Sequence, residues 1–364
     1  MHKPKIAFVT GGYSSEAVIS YKSAITIENN LDKDRYDVYR IDITPDSWFH
    51  TSSDGKKYPV DRSDFSLNLP EGKINFDTVF IGIHGTPGED GRLQGYFDMV
   101  GLPYTSCDAA TSAITFNKRY TVAIAAFSGI NVARSLHLFK HNPIEASKIL
   151  SLLSLPLFVK PNNGGSSIGM SKVNEAGALP AALEKAFKED DQVLVEEFIK
   201  GREFTIGVFK SKGKVKTLPF TEVMTKNEFF DYQAKYEGKS SEVTPAECPE
   251  EMATQIRDTA ERVYEIFNCR GIVRMDFIYE ELKGAPYLLE INTVPGQSEA
   301  SIVPQQVLVS GWNLKEFYAA LVDESQSAGT HSVMFDAGHL ASGLYVYRLE
   351  TPGFSKTGRM LLVK

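Results

Sequence analysis

The sequence has few cysteines and no long apolar run. Its three cysteines, Cys107, Cys248 and Cys269, are widely spaced and match no zinc or CxxC pattern, and the odd number argues against a disulfide framework. Free thiols in a reducing compartment are therefore expected. No apolar run reaches the roughly 18 residues of a membrane-spanning helix, and the short run at 6–9 is too brief for the core of an export signal.

An excess of positive charge is also lacking. The 39 Lys and Arg residues are outnumbered by 46 Asp and Glu residues, which gives a net charge of -7. No basic cluster or nucleic-acid-binding motif is present, so we expect no nucleic-acid partner and no membrane partner. The content of 42% hydrophobic and 23% charged residues is typical of globular proteins, and the length allows two or three domains.

Apolar runs alternate with helical patterns at the start of the chain. A strand at 6–9 leads through Gly11-Gly12 into a helical pattern, and further strands are predicted at 38–43 and 78–83, with a polar stretch at 52–70 between them. This alternation predicts a parallel α/β domain over residues 1–117.

The middle of the chain follows another order. Strand, glycine-rich loop, strand, helix and strand succeed one another between 157 and 198, after a helical stretch with a short strand near Val132. This order favours antiparallel pairing and a separate α+β domain at 118–207. A third domain is predicted at 208–324, with a long helix at 249–267, and a tail at 325–364.

Two strands of the third domain carry charged residues where a buried strand should be apolar. Arg274 and Asp276 are spaced i, i+2, as are Glu290 and Asn292, so each pair shares one face of its strand. Asp276, Glu290 and Asn292 can converge as the oxygen ligands that Mg²⁺ prefers. The alternative for either pair alone is an amphipathic strand with a solvated polar face.

A glycine-rich loop and several carboxylates follow the strand at 157–160. The segment from Lys160 to Gly169 has small residues that let backbone N–H groups approach phosphate, although it is not a Walker A loop and could be a structural turn. Carboxylates beside the next strand can accept hydrogen bonds from adenine or ribose, although surface carboxylates are common. These are Glu196, Glu197 and Glu203.

Three further segments can contact a small substrate. Gly11 to Glu16 forms a βα turn where a helix N-terminus and a carboxylate can orient a zwitterion, while a dinucleotide-binding turn would need a third glycine. His84 to Gly91 follows a strand at the sheet edge where α/β proteins bind ligands, unless it is only a stiff turn. Asp231 to Tyr236 is a candidate lid or an ordinary exposed loop.

In this order, the motifs resemble those of the D-alanine:D-alanine ligase family of the ATP-grasp superfamily. The resemblance covers about residues 5 to 323 and implies an ATP-grasp fold with an N-terminal Rossmann-like parallel α/β domain. It rests on Gly11-Gly-Tyr-Ser-Ser-Glu16, His84-Gly-Thr-Pro-Gly-Glu-Asp-Gly91, Asn117-Lys118, Lys160 to Ser167, Tyr232 to Tyr236, Arg274-Met-Asp276, Glu290-Ile-Asn-Thr-Val-Pro-Gly296 and Ser301.

The resemblance implies ATP and two Mg²⁺ ions as cofactors, with Mn²⁺ as an alternative ion. ATP would transfer its γ-phosphate to the carboxylate of the first D-alanine, and the amine of the second would displace phosphate from the resulting acyl phosphate. The ATP contacts would be Lys118, Lys160, Ser167, Glu196, Glu197, Glu203 and Lys235. The metal ligands would be Asp276, Glu290 and Asn292.

The same resemblance implies roles at the reacting groups. Glu16 would hold the ammonium of the first D-alanine, His84 would orient that substrate, and Ser301 would bind the carboxylate of the second. Arg274 and the Gly296 N–H would stabilise the tetrahedral oxyanion. Glu16, Ser166 and Tyr236 would form a hydrogen-bonded group. Members of the family that use D-lactate commonly have Phe at the position of Tyr236. The tyrosine therefore favours a dipeptide product.

The tail extends beyond the usual end of the family. The patterns at 341–350 and 358–364 predict a β-hairpin, and this stretch resembles the end of a type IX secretion sorting domain. Secretion by that route needs an export signal, and none is evident. We therefore expect a cytoplasmic homodimeric enzyme with an appended tail. Two alternatives remain. One is a ligase that takes D-lactate or D-serine as second substrate, and the other is a non-catalytic nucleotide-binding or secreted surface protein.

Overall fold

The structure is a computed structural model that describes residues 3–164, 168–225, 240–323, 343–351 and 354–362. The chain divides into two units, Met1–Ser327 and Ala328–Lys364. Across the described ranges, no helix has both the length and the apolar character needed to cross a membrane. Four residues with predicted roles lie outside these ranges: Ser166, Ser167, Lys235 and Tyr236.

A mixed sheet of seven strands, in the order β6-β5-β4-β3-β2-β1-β7, forms the N-terminal part of the first unit. Strand β1 is buried at Ile6 and Phe8 and pairs in parallel with β2 and β7, as the α/β prediction requires. An antiparallel meander continues the sheet through residues 48–74, where the sequence predicted only a polar stretch. The strands are β1 (Lys5–Gly11), β2 (Asp37–Ile43), β3 (Trp48–Thr51), β4 (Lys57–Asp61), β5 (Ser66–Leu69), β6 (Gly72–Ile74) and β7 (Thr78–Ile81).

Helix α1 (Ala17–Asn30) connects β1 to β2, and three helices follow β7. Asp108 caps the second of these through a bond from Thr111 N, and Asn117 caps the third through a bond from Tyr120 N. Such side-chain caps satisfy N–H groups that have no partner within the helix. The three helices are α2 (Arg92–Val100), α3 (Ala109–Phe116) and α4 (Lys118–Phe127).

The second sheet has four strands, all antiparallel, in the order β10-β9-β11-β8. Its apolar face, which includes Val159 and Val193, packs against two helices and forms a separate core. The strand expected near Val132 begins instead at Ser135. The elements are β8 (Ser135–Phe139), α5 (Ala146–Leu152), β9 (Leu157–Pro161), β10 (Ser171–Val173), a 3₁₀ turn (Ala176–Ala178), α6 (Leu179–Glu189) and β11 (Gln192–Glu197).

The third sheet has six strands in the order β15-β14-β12-β16-β17, with β13 paired to β12. The predicted domain boundary at 207/208 falls inside β12. Helix α7 covers one face because Ile256, Ala260 and Val263 recur at helical spacing and are buried. The elements are β12 (Arg202–Ser211), β13 (Lys214–Thr217), β14 (Thr221–Thr225), β15 (Ser240–Val243), α7 (Glu250–Ile266), β16 (Ile272–Glu280) and β17 (Ala285–Asn292).

Helices α8 (Ile302–Val309) and α9 (Leu314–Asp323) pack between the first and third sheets. Tyr318 lies with its ring centroid 5.6 Å from that of Phe80 on β7, while Phe317 lies 5.2 Å from Phe209 on β12. Both side chains on α9 are fully buried, and burial of one large apolar side chain contributes about 1.5–3 kcal/mol. Residues 1–117 and 208–324, predicted as separate domains, thus share one core.

The second unit contains the antiparallel hairpin of β18 (Gly343–Thr351) and β19 (Phe354–Leu362), which confirms the predicted hairpin. Tyr347 lies opposite Gly358 in the register, and a Cβ atom at Gly358 would be 2.3 Å from the tyrosine ring. The aromatic ring therefore covers the glycine of the neighbouring strand, a cross-strand contact that pins the register.

Residues 105–108 and 268–271 form a tight junction between the first and third sheets. Cys107 Sγ bonds to both the carbonyl and the N–H of Arg270, at 3.3 Å each, and Asp108 forms an ion pair with the Arg270 side chain. Gly271 has a φ of +61°, and a Cβ there would be 1.8 Å from the Thr105 carbonyl oxygen. Only glycine fits this close backbone contact.

We predict that Gly271→Ala lowers the free energy of unfolding by at least about 2 kcal/mol more than Gly284→Ala. Both glycines have a φ of +61°, but the nearest atom to a Cβ at Gly284 is Tyr279 Oη, at 3.8 Å. The control therefore carries the same backbone strain without the clash. Urea denaturation of the two variants measures the difference, and equal midpoints would contradict the tight junction.

Candidate active site

Two cavities lie in the first unit and share part of their walls. The first, of about 430 Å³, lies between the second and third sheets, and the second, of about 380 Å³, is lined by α1, the loop after β7 and the loop after β17. Lys118, Gly164 and Glu290 line both cavities. A group bound in one cavity can therefore meet a group bound in the other at these three residues.

The first cavity contains an ion pair that the strand register produces. Lys160 on β9 lies opposite Leu194, so Glu196 on β11 is its diagonal neighbour on the same face, and the two side chains form a mostly buried ion pair. Glu203 on β12 lines the same wall. Glu197 also lines this cavity, while its carboxylate accepts a 2.8 Å bond from Ser154 N, which holds β11 to a preceding loop.

Lys118 stands at the N-terminus of α4, where the two cavities meet. Its Nζ donates a 2.7 Å bond to the Gly164 carbonyl at the edge of the glycine-rich loop. The Lys118 N–H donates to the Asn162 carbonyl, and Asn117 Nδ2 donates to Asn163 Oδ1. These bonds hold the start of α4 against the loop, so the helix N-terminus and the lysine present positive charge to the same space.

Arg274, Asp276 and Glu290 form a partly buried charged cluster on β16 and β17 of the third sheet. Arg274 donates to both Asp276 oxygens, at 3.0 and 2.8 Å, and its guanidinium is 3.5 Å from Glu290. Thr205 Oγ1 also donates to Asp276, at 2.7 Å. Burial and the Glu290 charge raise the pKa of Asp276, although the Arg274 charge opposes them. One guanidinium therefore pairs with two carboxylates.

The paired strands bring the predicted metal ligands together. In the register of β16 and β17, Asp276 lies opposite Glu290 and Arg274 opposite Asn292. The Asn292 side-chain nitrogen is buried and makes no hydrogen bond within the described part of the chain. Two adjacent carboxylates and an amide held on one face are a donor set that fits a hard divalent cation.

The second cavity places two carboxylates beside each other. Glu16 stands at the N-terminus of α1, and Gly85, with a φ of +67°, lies so close that a Cβ there would be 2.5 Å from Glu16 Oε2. Glu89 Oε2 accepts a 2.6 Å bond from Gly85 N. Burial and the Glu16 charge raise the pKa of Glu89. A cation in this cavity would relieve the repulsion between Glu16 and Glu89.

His84 lies in the wall of the second cavity with both ring nitrogens bonded to protein groups. Nδ1 is 2.7 Å from the Val294 carbonyl, and Nε2 is 2.9 Å from Ser23 Oγ. Because a carbonyl can only accept, Nδ1 carries the proton and Nε2 accepts from Ser23. Burial lowers the pKa of His84 to about 4, so the imidazole is neutral at pH 7.

Gly296 and Ser301 lie in the loop that follows β17 and also line the second cavity. A Cβ at Gly296 would be 2.8 Å from Ser301 Oγ, so glycine allows the loop to approach the start of α8. Ser301 Oγ accepts a 3.1 Å bond from Ser298 N and lies 2.8 Å from Ser298 Oγ.

The structure distributes the predicted residues over the two cavities. Lys160, Glu196, Glu197, Glu203 and Asp276 line the first, Lys118 and Glu290 line both, and Glu16, His84, Arg274, Asn292, Gly296 and Ser301 line the second. Sequence reasoning gave no role to three further residues of the second cavity, Lys22, Glu89 and Glu242. Glu89 lies within the segment from His84 to Gly91, which the sequence analysis had named as a possible substrate contact. Its position in that segment could have indicated a role at the site.

A nucleotide-sized cavity between two antiparallel sheets, lined by lysines and carboxylates, defines an ATP-grasp enzyme. Solved structures support this class: the VanG D-Ala:D-Ser ligase from Enterococcus faecalis matches with a TM-score of 0.80 and 31% identity over 88% of this chain and 99% of that one. A D-alanine--D-alanine ligase from Bacillus anthracis complexed with ATP matches with a TM-score of 0.71 and 26% identity over 88% and 97%.

The particular family follows from the sequence comparisons. The model of the D-ala D-ala ligase N-terminus matches residues 5–107, and that of the C-terminus matches residues 123–323. The D-alanine--D-alanine ligase from Flavobacterium johnsoniae is 44% identical over 320 residues, which are 88% of this chain and 98% of the relative. The chain belongs to the D-ala D-ala ligase family, whose members are ligases that use ATP.

We predict that Lys160→Ala weakens ATP binding at least about tenfold, because the variant loses the ammonium group and leaves Glu196 buried without its partner. Isothermal titration calorimetry with ATP measures the affinity, at a temperature where circular dichroism shows both proteins folded. Lys188→Ala, which removes a lysine from the exposed pair with Glu184, is the matched control. Unchanged affinity in the Lys160 variant would exclude this cavity as the nucleotide site.

Proposed function

We propose that this protein uses ATP to join two D-alanine molecules into D-alanyl-D-alanine, through a D-alanyl phosphate, for the synthesis of peptidoglycan precursors. The observation that carries this proposal is the shared wall of the two cavities at Lys118, Gly164 and Glu290. ATP in the first cavity and an amino acid in the second would meet at this wall. Phosphoryl transfer depends mainly on such positioning and on neutralisation of charge.

The first step is transfer of the γ-phosphate to the carboxylate of the first D-alanine. Lys118 and Lys160 would neutralise the ATP phosphates, while Glu196, Glu197 and Glu203 would accept hydrogen bonds from adenine and ribose; all five line the first cavity. Asp276, Glu290 and Asn292 would hold two Mg²⁺ ions, or Mn²⁺, which supply positive charge against the phosphate oxygens.

In the second step, the amine of the second D-alanine attacks the acyl phosphate and phosphate leaves. Glu16 would bind the ammonium of the first D-alanine, His84 would orient that substrate, and Ser301 would bind the carboxylate of the second. Arg274 and the Gly296 N–H would stabilise the oxyanion that forms during attack. The roles assigned to Ser166, Ser167, Lys235 and Tyr236 stay predictions, since these residues lie outside the described ranges.

We further propose a homodimer that works in the cytoplasm, because ATP and D-alanine are available there. The resemblance of the tail to a secretion sorting domain stays a prediction. D-Serine deserves a direct comparison as second substrate, because the solved D-Ala:D-Ser ligase shares this fold. D-Lactate is the other alternative, against which the tyrosine at position 236 argues.

The proposal predicts that the purified protein with ATP and Mg²⁺ releases ADP only when D-alanine is present, with about one dipeptide formed per ADP. Coupled ADP detection and product mass spectrometry measure both, in reactions with no amino acid, D-alanine, L-alanine, or D-alanine with D-serine or D-lactate. A dominant mixed product would reassign the second substrate. Absence of turnover with every D-amino acid would refute the proposal.

We predict that Gly85→Ala raises the KM for D-alanine at least about fivefold and leaves the KM for ATP within about twofold, because the added methyl group displaces Glu16 from its position. Gly101→Ala is the matched control, since Gly101 has a φ of +73° and no atom within 4 Å of a Cβ. Steady-state kinetics of both variants test the prediction. An equal rise of both KM values would indicate a general disturbance of the fold.

A further inference from the structure

The loop after β17 is held by hydrogen bonds from the N-terminal part of the chain. Both backbone polar groups of Val294 are hydrogen-bonded. Its N–H donates to Glu89 Oε1 at 3.2 Å, and its carbonyl accepts from His84 Nδ1 at 2.7 Å. His84 and Glu89 belong to one short segment after β7. Two hydrogen bonds from this segment therefore hold Val294 and fix the orientation of its peptide groups.

Ser23 on α1 adds a further bond to this loop at Gln297, one residue beyond Gly296. Gln297 N donates to Ser23 Oγ at 3.0 Å, and Ser23 in turn donates to His84 Nε2 at 2.9 Å. Ser23 is fully buried and His84 nearly so. In this series of hydrogen bonds each group donates to the next, from Gln297 through Ser23 and His84 to Val294. Each polar group is therefore satisfied in a single arrangement.

The Gln297 side chain holds a second carbonyl of the loop. Its Nε2 donates to the Pro295 carbonyl at 3.1 Å, and its Oε1 accepts from Tyr318 on α9 at 3.1 Å. Backbone groups on both sides of Gly296 are thus fixed. The Gly296 N–H itself makes no hydrogen bond within the described ranges, and Gly296 lines the second cavity.

We propose that Ser23 and Glu89 are positioning residues which, with His84, hold the loop 294–297 so that the Gly296 N–H is aimed at the reacting carbonyl. This inference rests on the proposed function, in which Gly296 stabilises an oxyanion. His84 then acts through Val294, since both ring nitrogens are committed to the loop and to Ser23.

The two steps of the reaction respond differently to loss of this positioning. Phosphoryl transfer to the first D-alanine forms a carboxylate oxygen to phosphorus bond and breaks the bond between the γ-phosphorus and ADP. In the second step the amine forms a C–N bond, loses a proton, and expels phosphate through a tetrahedral oxyanion. Only the second step requires a donor at that oxyanion. A misplaced loop therefore leaves acyl phosphate that water hydrolyses to D-alanine and phosphate.

The test measures dipeptide formed per ADP released in Ser23→Ala and in Glu89→Gln, each in the full chain with ATP, Mg²⁺ and D-alanine. We expect the dipeptide kcat to fall at least about tenfold and the ratio of dipeptide to ADP to fall from about one to below one half, with the KM for ATP within about twofold. Ser23→Thr, which keeps the hydroxyl group, should restore the ratio.

Ser112→Ala is the matched control, because Ser112 is also fully buried, donates through Oγ to the Cys107 carbonyl, and lines neither cavity. Its ratio should equal that of the unaltered protein. A ratio near one in both Ser23→Ala and Glu89→Gln would overturn the inference, as would a loss of ATP binding and thermal stability in proportion to the loss of dipeptide. Absence of D-alanine-dependent ADP release in the unaltered protein would instead refute the proposed function.

Discussion

Two carboxylates lie opposite each other on neighbouring strands of the third sheet, and the site is built around the need to balance their charge. Asp276 and Glu290 are paired by the register of β16 and β17, and Arg274 forms an ion pair with each. Burial of such a pair costs free energy unless cations and hydrogen bonds compensate. The same imbalance makes the position suitable for divalent cations and for the phosphates that those cations bind.

The position of this cluster determines what the two cavities can do. Glu290 lines both cavities, as do Lys118 at the start of α4 and Gly164 after β9. Charge developing between a nucleotide and a second substrate would thus fall where the fixed charges of the protein are concentrated. Fixed groups of this kind lower a barrier without reorganising during the reaction.

The second cavity depends on contacts between distant parts of the chain. Helices α8 and α9 pack against both Phe80 and Phe209, so the loop after β17 is brought beside α1 and the segment after β7. Buried polar bonds from Ser23, His84 and Glu89 then set its conformation. Apolar packing supplies the proximity, and the hydrogen bonds select one geometry, because unpaired buried polar groups would be costly.

Much of this arrangement is encoded locally. Period-two patterns placed Asp276 with Arg274 and Glu290 with Asn292 on strand faces, and apolar runs located most strands, because local side-chain alternation determines these features. The meander over residues 48–74 was missed because its strands are short and half-exposed, with little apolar signal.

Other features depended on the tertiary structure. Local pattern could not show that residues 1–117 and 208–324 share a core, or that Glu89 and Ser23 reach the loop around Gly296. These contacts join residues more than 200 positions apart, and their geometry is set by packing of whole elements. The sequence by itself determined which charged side chains share a strand face, whereas the tertiary structure decided which distant residues contact them, because local alternation specifies the face of a strand but not its distant neighbours.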